Sequence, residues 1–311
     1  MPRVIPTAEL GVIELGDLIE KLETGPFDPE DEECFVSWGP ALSRLANNRR
    51  FLAGLVVEEL KQRCAGQARF SQYGPQVVLL YGGSQRFLIR ANLWPGKNDS
   101  AVRNSGADPF FYDLAHDHNF SFLTVGYLGP GYWSDYFEYD YGSVVGYSGE
   151  KVALRFVERS RLEPGKVMLY RAHRDVHLQL LPDDFSVSLN IMGLSQGLEY
   201  RDQYRFDVER GEVSGVISQS ALEPMLALAA CNGGGEGLEL VERFAERHPS
   251  ERIRFAAVRS LACAARDVDD RLEVYERAAA GPSRFVAEMS RIEAERLRRS
   301  RAWIEAPQPV V

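Results

Sequence analysis

The spacing of apolar residues changes period twice along the chain, giving a helical, a β and a second helical third. Residues 7–23, TAELGVIELGDLIEKLE, carry apolar side chains at helical spacing and predict a helix. An acidic loop, GPFDPEDEE, follows at 25–33. Residues 40–65 predict the clearest N-terminal helix, with Pro40 in its first turn and Gly66 closing it. From residue 75 the alternation becomes that of strands. QVVLLYGG and QRFLIRANLW predict two strands, and a polar loop at 95–109 separates them from a series of short aromatic, β-branched runs. These are FSFLTVGYL, WSDYFEYDY, SVVGYS, VALRFVERSRL, KVMLYRAH, VHLQLL and FSVSLNIMG, with an edge strand or hairpin at 200–216. Many short strands with regular turns predict an antiparallel sandwich or barrel. Beyond residue 219 the composition turns to Ala, Leu, Glu and Arg, and helices are expected near 219–230, 235–247, 250–265, 268–279 and 283–301, with a frayed APQPVV tail. The expected division is an N-terminal helical segment (1–74), a β domain (75–217) and a C-terminal helical segment (218–311).

Composition narrows the function classes. A net charge of −9 without a basic stripe points away from nucleic acid. No apolar run approaches the roughly 18 residues that span a bilayer. The N-terminal residues show no long apolar run ending at a small-residue cleavage site, so a cytoplasmic location is expected. Four cysteines, Cys34, Cys64, Cys231 and Cys263, are widely spaced and read as reduced thiols.

Four of the five histidines fall in two tight groups, His116-Asp117-His118 and His173-Arg174-Asp175-Val176-His177. On a strand, residues i and i+2 share a face, so His116 and His118 can aim two imidazoles into one cavity. A second strand carrying His177 can add a third. Three neutral imidazoles suit Fe, Cu, Zn or Ni and leave positions open for chemistry.

The segment 93–123, LWPGKNDSAVRNSGADPFFYDLAHDHNFSFL, resembles the first motif of cupins, and most closely their thiol (cysteine) dioxygenase branch. EPGKVMLYRAHRDVHLQLLPDDFSVSLNIM is similar to the second motif. The likeness covers about residues 75–195 and implies an α+β protein: a cupin-type antiparallel β-barrel or jelly roll with N-terminal helices and a C-terminal helical extension. It implies a metal, Fe(II) in the first place with Zn, Ni or Cu as alternatives, held by His116, His118 and His177. His173 competes as third ligand or as a hydrogen-bond partner of substrate. The sequence also departs from the pattern. No glutamate follows His118, where Asn119-Phe120-Ser121-Phe122-Leu123 stand, and Leu123 replaces the branch's cysteine. Of its Ser-x-His-x-Tyr relay only Ser188 survives, and its substrate-carboxylate arginine has no clear equivalent. The scaffold is implied; cysteine as substrate is not. Residues 248–278 also resemble one HEAT-type helical repeat, against the plainer expectation of a helical cap on the β domain.

Other groups near the second motif are candidates for chemistry. Tyr170 and Gln179 are placed to face the cavity, and Arg171 or Arg174 could clamp a carboxylate. His173, Arg174 and Tyr170 are the expected catalytic groups. Gly129-Pro130-Gly131 is a tight turn, and neither a phosphate loop nor a G-x-S-x-G elbow occurs. The expected function is an Fe(II)- and O2-dependent oxygenase of an amino acid or peptide residue that needs no 2-oxoglutarate. Competing expectations are a 2-oxoglutarate-dependent hydroxylase, a Zn or Ni isomerase or hydrolase, and a small-molecule-sensing cupin. A homodimer or protein partner would use the C-terminal helices.

Overall fold

A computed structural model describes residues 2–8, 10–68, 74, 76–218 and 220–305. The chain forms two compact units, residues 1–144 with 151–214, and residues 145–150 with 215–311.

In the first unit, β1 (Arg3–Ile5) precedes α1 (Leu15–Thr24), α2 (Glu32–Ser37), α3 (Gly39–Asn47), α4 (Phe51–Lys61) and α5 (Ala65–Ala68). Then come β2 (Val77–Tyr81), β3 (Phe87–Trp94), α6 (Ser100–Ser105), β4 (Ala115–His116), β5 (Phe122–Leu128) and β6 (Tyr132–Glu138). The strands continue with β7 (Arg155–Leu162), β8 (Val167–Tyr170), β9 (Asp175–Gln179), β10 (Ser186–Gly193), β11 (Tyr204–Asp207) and β12 (Glu212–Val216). They make two antiparallel six-stranded sheets, ordered β1-β8-β5-β10-β3-β2 and β12-β11-β4-β9-β6-β7. The central eight strands, β8-β5-β10-β3 in one sheet and β4-β9-β6-β7 in the other, form a double-sheet jelly roll.

Several sequence expectations are corrected. The helix expected over 7–23 begins at Leu15, and the chain before it supplies the short strand β1 paired with β8; Glu9 lies outside the described residues. The single helix expected over 40–65 is α3 and α4 with a break at Asn48. Asn48 is extended (ψ 91°), and its side chain bonds the Ile13 carbonyl, the Glu14 carboxylate and the Arg50 N–H, a local alternative to the helix ladder. The acidic loop starts α2 early, because the Asp31 carboxylate caps it by accepting from Glu33 N–H. The polar loop at 95–109 contains α6, and SVVGYS is not a strand.

Both faces of the first sheet are buried. Val187, Leu189 and Ile191 of β10, with Ile89, Ala91, Leu123, Val125 and Leu169, pack under Leu18, Leu22, Leu42 and Leu45 of α1 and α3. Burying each of these leucines contributes about 1.5–3 kcal/mol. The opposite faces line the space between the sheets with Leu88, Trp94, Phe122, Tyr136, Met168 and Tyr170.

The second unit consists of α7 (Leu222–Asn232), α8 (Gly234–Arg247), α9 (Glu251–Ala264), α10 (Val268–Ala279) and α11 (Arg284–Ile304). Helix α9 packs against the other four. Ser250, Asp267 and Ser283 cap α9, α10 and α11 through their side-chain oxygens. The expected frayed tail 306–311 lies outside the described residues, as does Gln219 at the start of the first expected helix. No described helix is long and apolar enough to cross a membrane. All four cysteines are free.

Candidate metal centre

The register of the second sheet brings the histidines together. His116 of β4 lies directly opposite His177 of β9, and His177 is opposite Tyr136 of β6. His118 follows β4 two residues on and returns to the same side. Its Nε2 is 3.1 Å from His177 Nε2, which is 3.1 Å from His116 Nε2. All three side chains are buried. Burial lowers the pKa of each, and for His118 and His177 the pKa lies well below 6.5; at His118 the neighbouring imidazoles and Arg90 add to the effect. The three are therefore neutral, the form that binds metal.

The donor set fits a cation. His116 Nδ1 is 2.8 Å from the Leu114 carbonyl, which places the proton on Nδ1 and leaves the Nε2 lone pair facing the other two rings. Lone pairs at this distance repel unless a proton or cation stands between them. One proton on His177 Nε2 satisfies one contact well; a cation at the common point satisfies both. Nitrogens about 2.0–2.2 Å from a shared metal ion lie about 3 Å apart, as His177 Nε2 does from each of the other two. No carboxylate or thiol among the described residues joins the group.

Asp117 points to the other side of its strand. Its fully buried carboxylate accepts from Tyr139 Oη at 2.6 Å and Tyr204 N–H at 2.6 Å. His173 belongs to this second cluster. Its ring lies 3.9 Å from that of Tyr141, its Nδ1 is 3.5 Å from Asp117, and its backbone N–H donates to the His118 carbonyl at 2.8 Å. Its backbone is left-handed (φ 56°). His173 thus sits behind the triad, bracing the chain that carries His118.

Tyr170 is on the inward face of β8. Its hydroxyl is 2.9 Å from that of Tyr136, and its ring is 5.1 Å from His177. Burial raises both phenol pKa values, that of Tyr136 to about 12, so both stay protonated near neutrality. Arg174 is exposed on the bend between β8 and β9. Arg171 is bound by Asp175 and Glu138, the local arginine–aspartate pairing that competes with a substrate clamp. Gln179 is buried on the inward face of β9.

The interior also holds residues the sequence reading passed over. Arg90, Asn190 and Thr124 lie side by side on β3, β10 and β5, with Thr124 Oγ1 donating to Asn190 Oδ1 at 3.0 Å. Asn92 and Ser188 form the next pair, and the Trp94 indole N–H donates to Ser188 Oγ at 3.0 Å. Half-buried Arg90 is close enough to His118 to add to the lowering of its pKa, and its charge opposes the rise that burial imposes on the Tyr132 phenol. The signal was present in Leu88-Arg90-Asn92-Trp94, the half of an alternating strand whose other half, Phe87-Ile89-Ala91, is wholly apolar.

Scanned against protein-family models and against curated proteins, the sequence matches none. Among solved structures it is similar to a DMSP lyase described with RdDddP and RnDddQII, at 16% identity over 41% of this chain and 50% of that one, with a TM-score of 0.24. It is also similar to the DMSP lyase DddQ from Ruegeria pomeroyi DSS-3 (12% identity, 62% and 77% covered, TM-score 0.24). A cupin domain from Bordetella pertussis Tohama I is a third (11%, 40% and 96%, TM-score 0.22). This chain spans only half the length of the first of these. The architecture rests on the strand order of the two sheets.

Proposed function

We propose that this protein is a non-haem Fe(II) oxygenase that uses O2 without 2-oxoglutarate and acts on an amino acid or a peptide residue. The observation that carries the reading is a buried donor set of three neutral imidazoles joined by no carboxylate among the described residues. The usual facial triad has two histidines and a carboxylate; here Asp117 faces away and is bound by Tyr139 and Tyr204. His116, His118 and His177 would hold the metal, and bound Fe(II) supplies the electron-transfer chemistry that O2 requires. The chain's own residues orient the substrate. Arg90, on the inward face beside His118, offers a cation for a substrate carboxylate. The Tyr136–Tyr170 pair supplies protonated hydroxyls on rings that flank His177. The apolar walls of Phe122, Met168 and Trp94 exclude water. Both atoms of O2 enter the product, so no reductant is consumed.

The test is metal analysis of protein purified without added metal, followed by oxygen uptake across amino acids and short peptides with and without 2-oxoglutarate. Fe(II)-dependent uptake unaffected by 2-oxoglutarate supports the assignment. Stoichiometric succinate overturns it in favour of a 2-oxoglutarate-dependent hydroxylase, and absence of uptake with any substrate favours a sensing role. Tight Zn or Ni with no oxygen chemistry favours an isomerase or hydrolase.

A further inference from the structure

Two buried side chains inside the barrel end in polar atoms that the protein leaves unmet. Asn92 of β3 is 5% exposed and Gln179 of β9 is 2% exposed. Asn92 Oδ1 and Gln179 Nε2 make no hydrogen bond to any described residue. Folded proteins keep few such atoms, because burying them unpaired costs stability.

Both belong to one layer of the barrel. Gln179 lies two residues beyond His177 on the inward face of β9, opposite Ser134 of β6 and bridged to Tyr112. Asn92 lies two residues beyond Arg90 on β3, opposite Ser188 of β10. The short β9–β10 connection joins the two sheets at this end, so the Gln179 and Ser188 rows face each other. Trp94 spans the layer, with its ring 5.1 Å from Tyr132 and 6.1 Å from Tyr112. The layer is thus an aromatic box holding the unmet Asn92 acceptor, the unmet Gln179 donor and, opposite Gln179, the unmet Ser134 hydroxyl, next to the row that carries the histidines and Arg90.

An acceptor that lacks a donor and a donor that lacks an acceptor are together complementary to a group offering both N–H and C=O. That group is an amide. We propose that this layer recognises an amide in the substrate, Gln179 donating to its carbonyl and Asn92 accepting its N–H, while the carboxylate of the same molecule turns toward Arg90. The substrate class is an N-acyl amino acid or the C-terminal end of a peptide rather than a free amino acid. This deepens the oxygenase reading and rests on it for the location of the site.

The test is binding to metal-free protein under argon, measured by calorimetry with three probes of nearly one shape. N-acetylglycine has the amide; levulinate replaces its N–H with CH2, and acetoxyacetate replaces it with oxygen. N-acetylglycine is expected to bind about tenfold or more tightly than either. Asn92→Leu should erase that preference. Gln179→Met should weaken all three by about tenfold and keep the preference, because each retains the carbonyl. The ligand-free melting temperature of both variants should equal or exceed that of the wild type, since an unmet polar atom is removed. A structural role would lower it instead and would overturn the proposal. Equal binding of the probes to the wild type, no binding of any, or a preference that survives Asn92→Leu would also overturn it. Failure of oxygen uptake would leave these binding results unchanged, so the two readings fail separately.

Discussion

His116 and His177 are 61 residues apart in the chain and directly opposite each other in the second sheet, with their Nε2 atoms 3.1 Å apart. Neither strand alone makes a site; the register between them does. Removing any one of the three rings of His116, His118 and His177 should therefore remove the metal. His118→Ala and His177→Ala are each expected to leave a folded barrel that no longer retains metal, read by elemental analysis and by circular dichroism. One full equivalent of metal in His177→Ala would rule out the three-imidazole site.

Stability of the metal-free protein should depend on acidity below neutrality. Burial lowers the pKa of all three imidazoles from an ordinary value of 6.5. Above 6.5 both folded and unfolded chains hold them neutral, and nothing is lost. Below it the unfolded chain takes up protons that the folded interior refuses, so stability falls as pH falls, by up to about 1.4 kcal/mol per pH unit for each imidazole. Urea midpoints between pH 7 and 5, compared with those of His118→Phe, isolate the effect. Identical slopes for the two proteins would show that His118 does not resist protonation.

The cluster behind the triad should be a source of stability. Tyr139→Phe removes the 2.6 Å bond to the fully buried Asp117 carboxylate and is expected to cost about 1–3 kcal/mol in urea unfolding. Because His173 and Asp117 brace the His118 segment, metal affinity should weaken as well. Unchanged stability and affinity would mean that Asp117 is adequately held by Tyr204 N–H alone.

The turn joining the sheets should resist substitution. Gly131 has φ +77°, and a Cβ there would collide with the Leu162 carbonyl. Gly131→Ala is expected to lose about 1–3 kcal/mol from strain alone. A wild-type melting temperature in this variant would show that the β5–β6 turn relaxes freely.

Much of this protein was legible in its alternation. The jelly-roll strands and the C-terminal helices follow the period of their apolar residues, and the i, i+2 spacing of His116 and His118 announced a shared face. What escaped was the sense of the polar half of each strand. In Ser186-Val187-Ser188-Leu189-Asn190-Ile191 the ordinary reading puts the polar face in water. Here helices cover the apolar face, so the polar one turns inward, and every residue of β10 is buried. Arg90, Asn92 and Thr124 were hidden by the same inversion. The break at Asn48 was missed because propensity favoured a continuous helix, whereas side-chain bonds to the Ile13 and Glu14 region end it. The three residues of β1 are too few to show any period.

The stapling of residues 116–118 to residues 173–177 also fixes when the site can exist. Bringing strands this far apart in sequence together costs loop-closure entropy that the rest of the barrel must offset, so the three imidazoles converge only with the tertiary fold. No short segment carries the full donor set, so a chain that ends before residue 177 lacks the third imidazole. The donor set is thus a property of tertiary structure alone: it exists only where β4 and β9 stand in register.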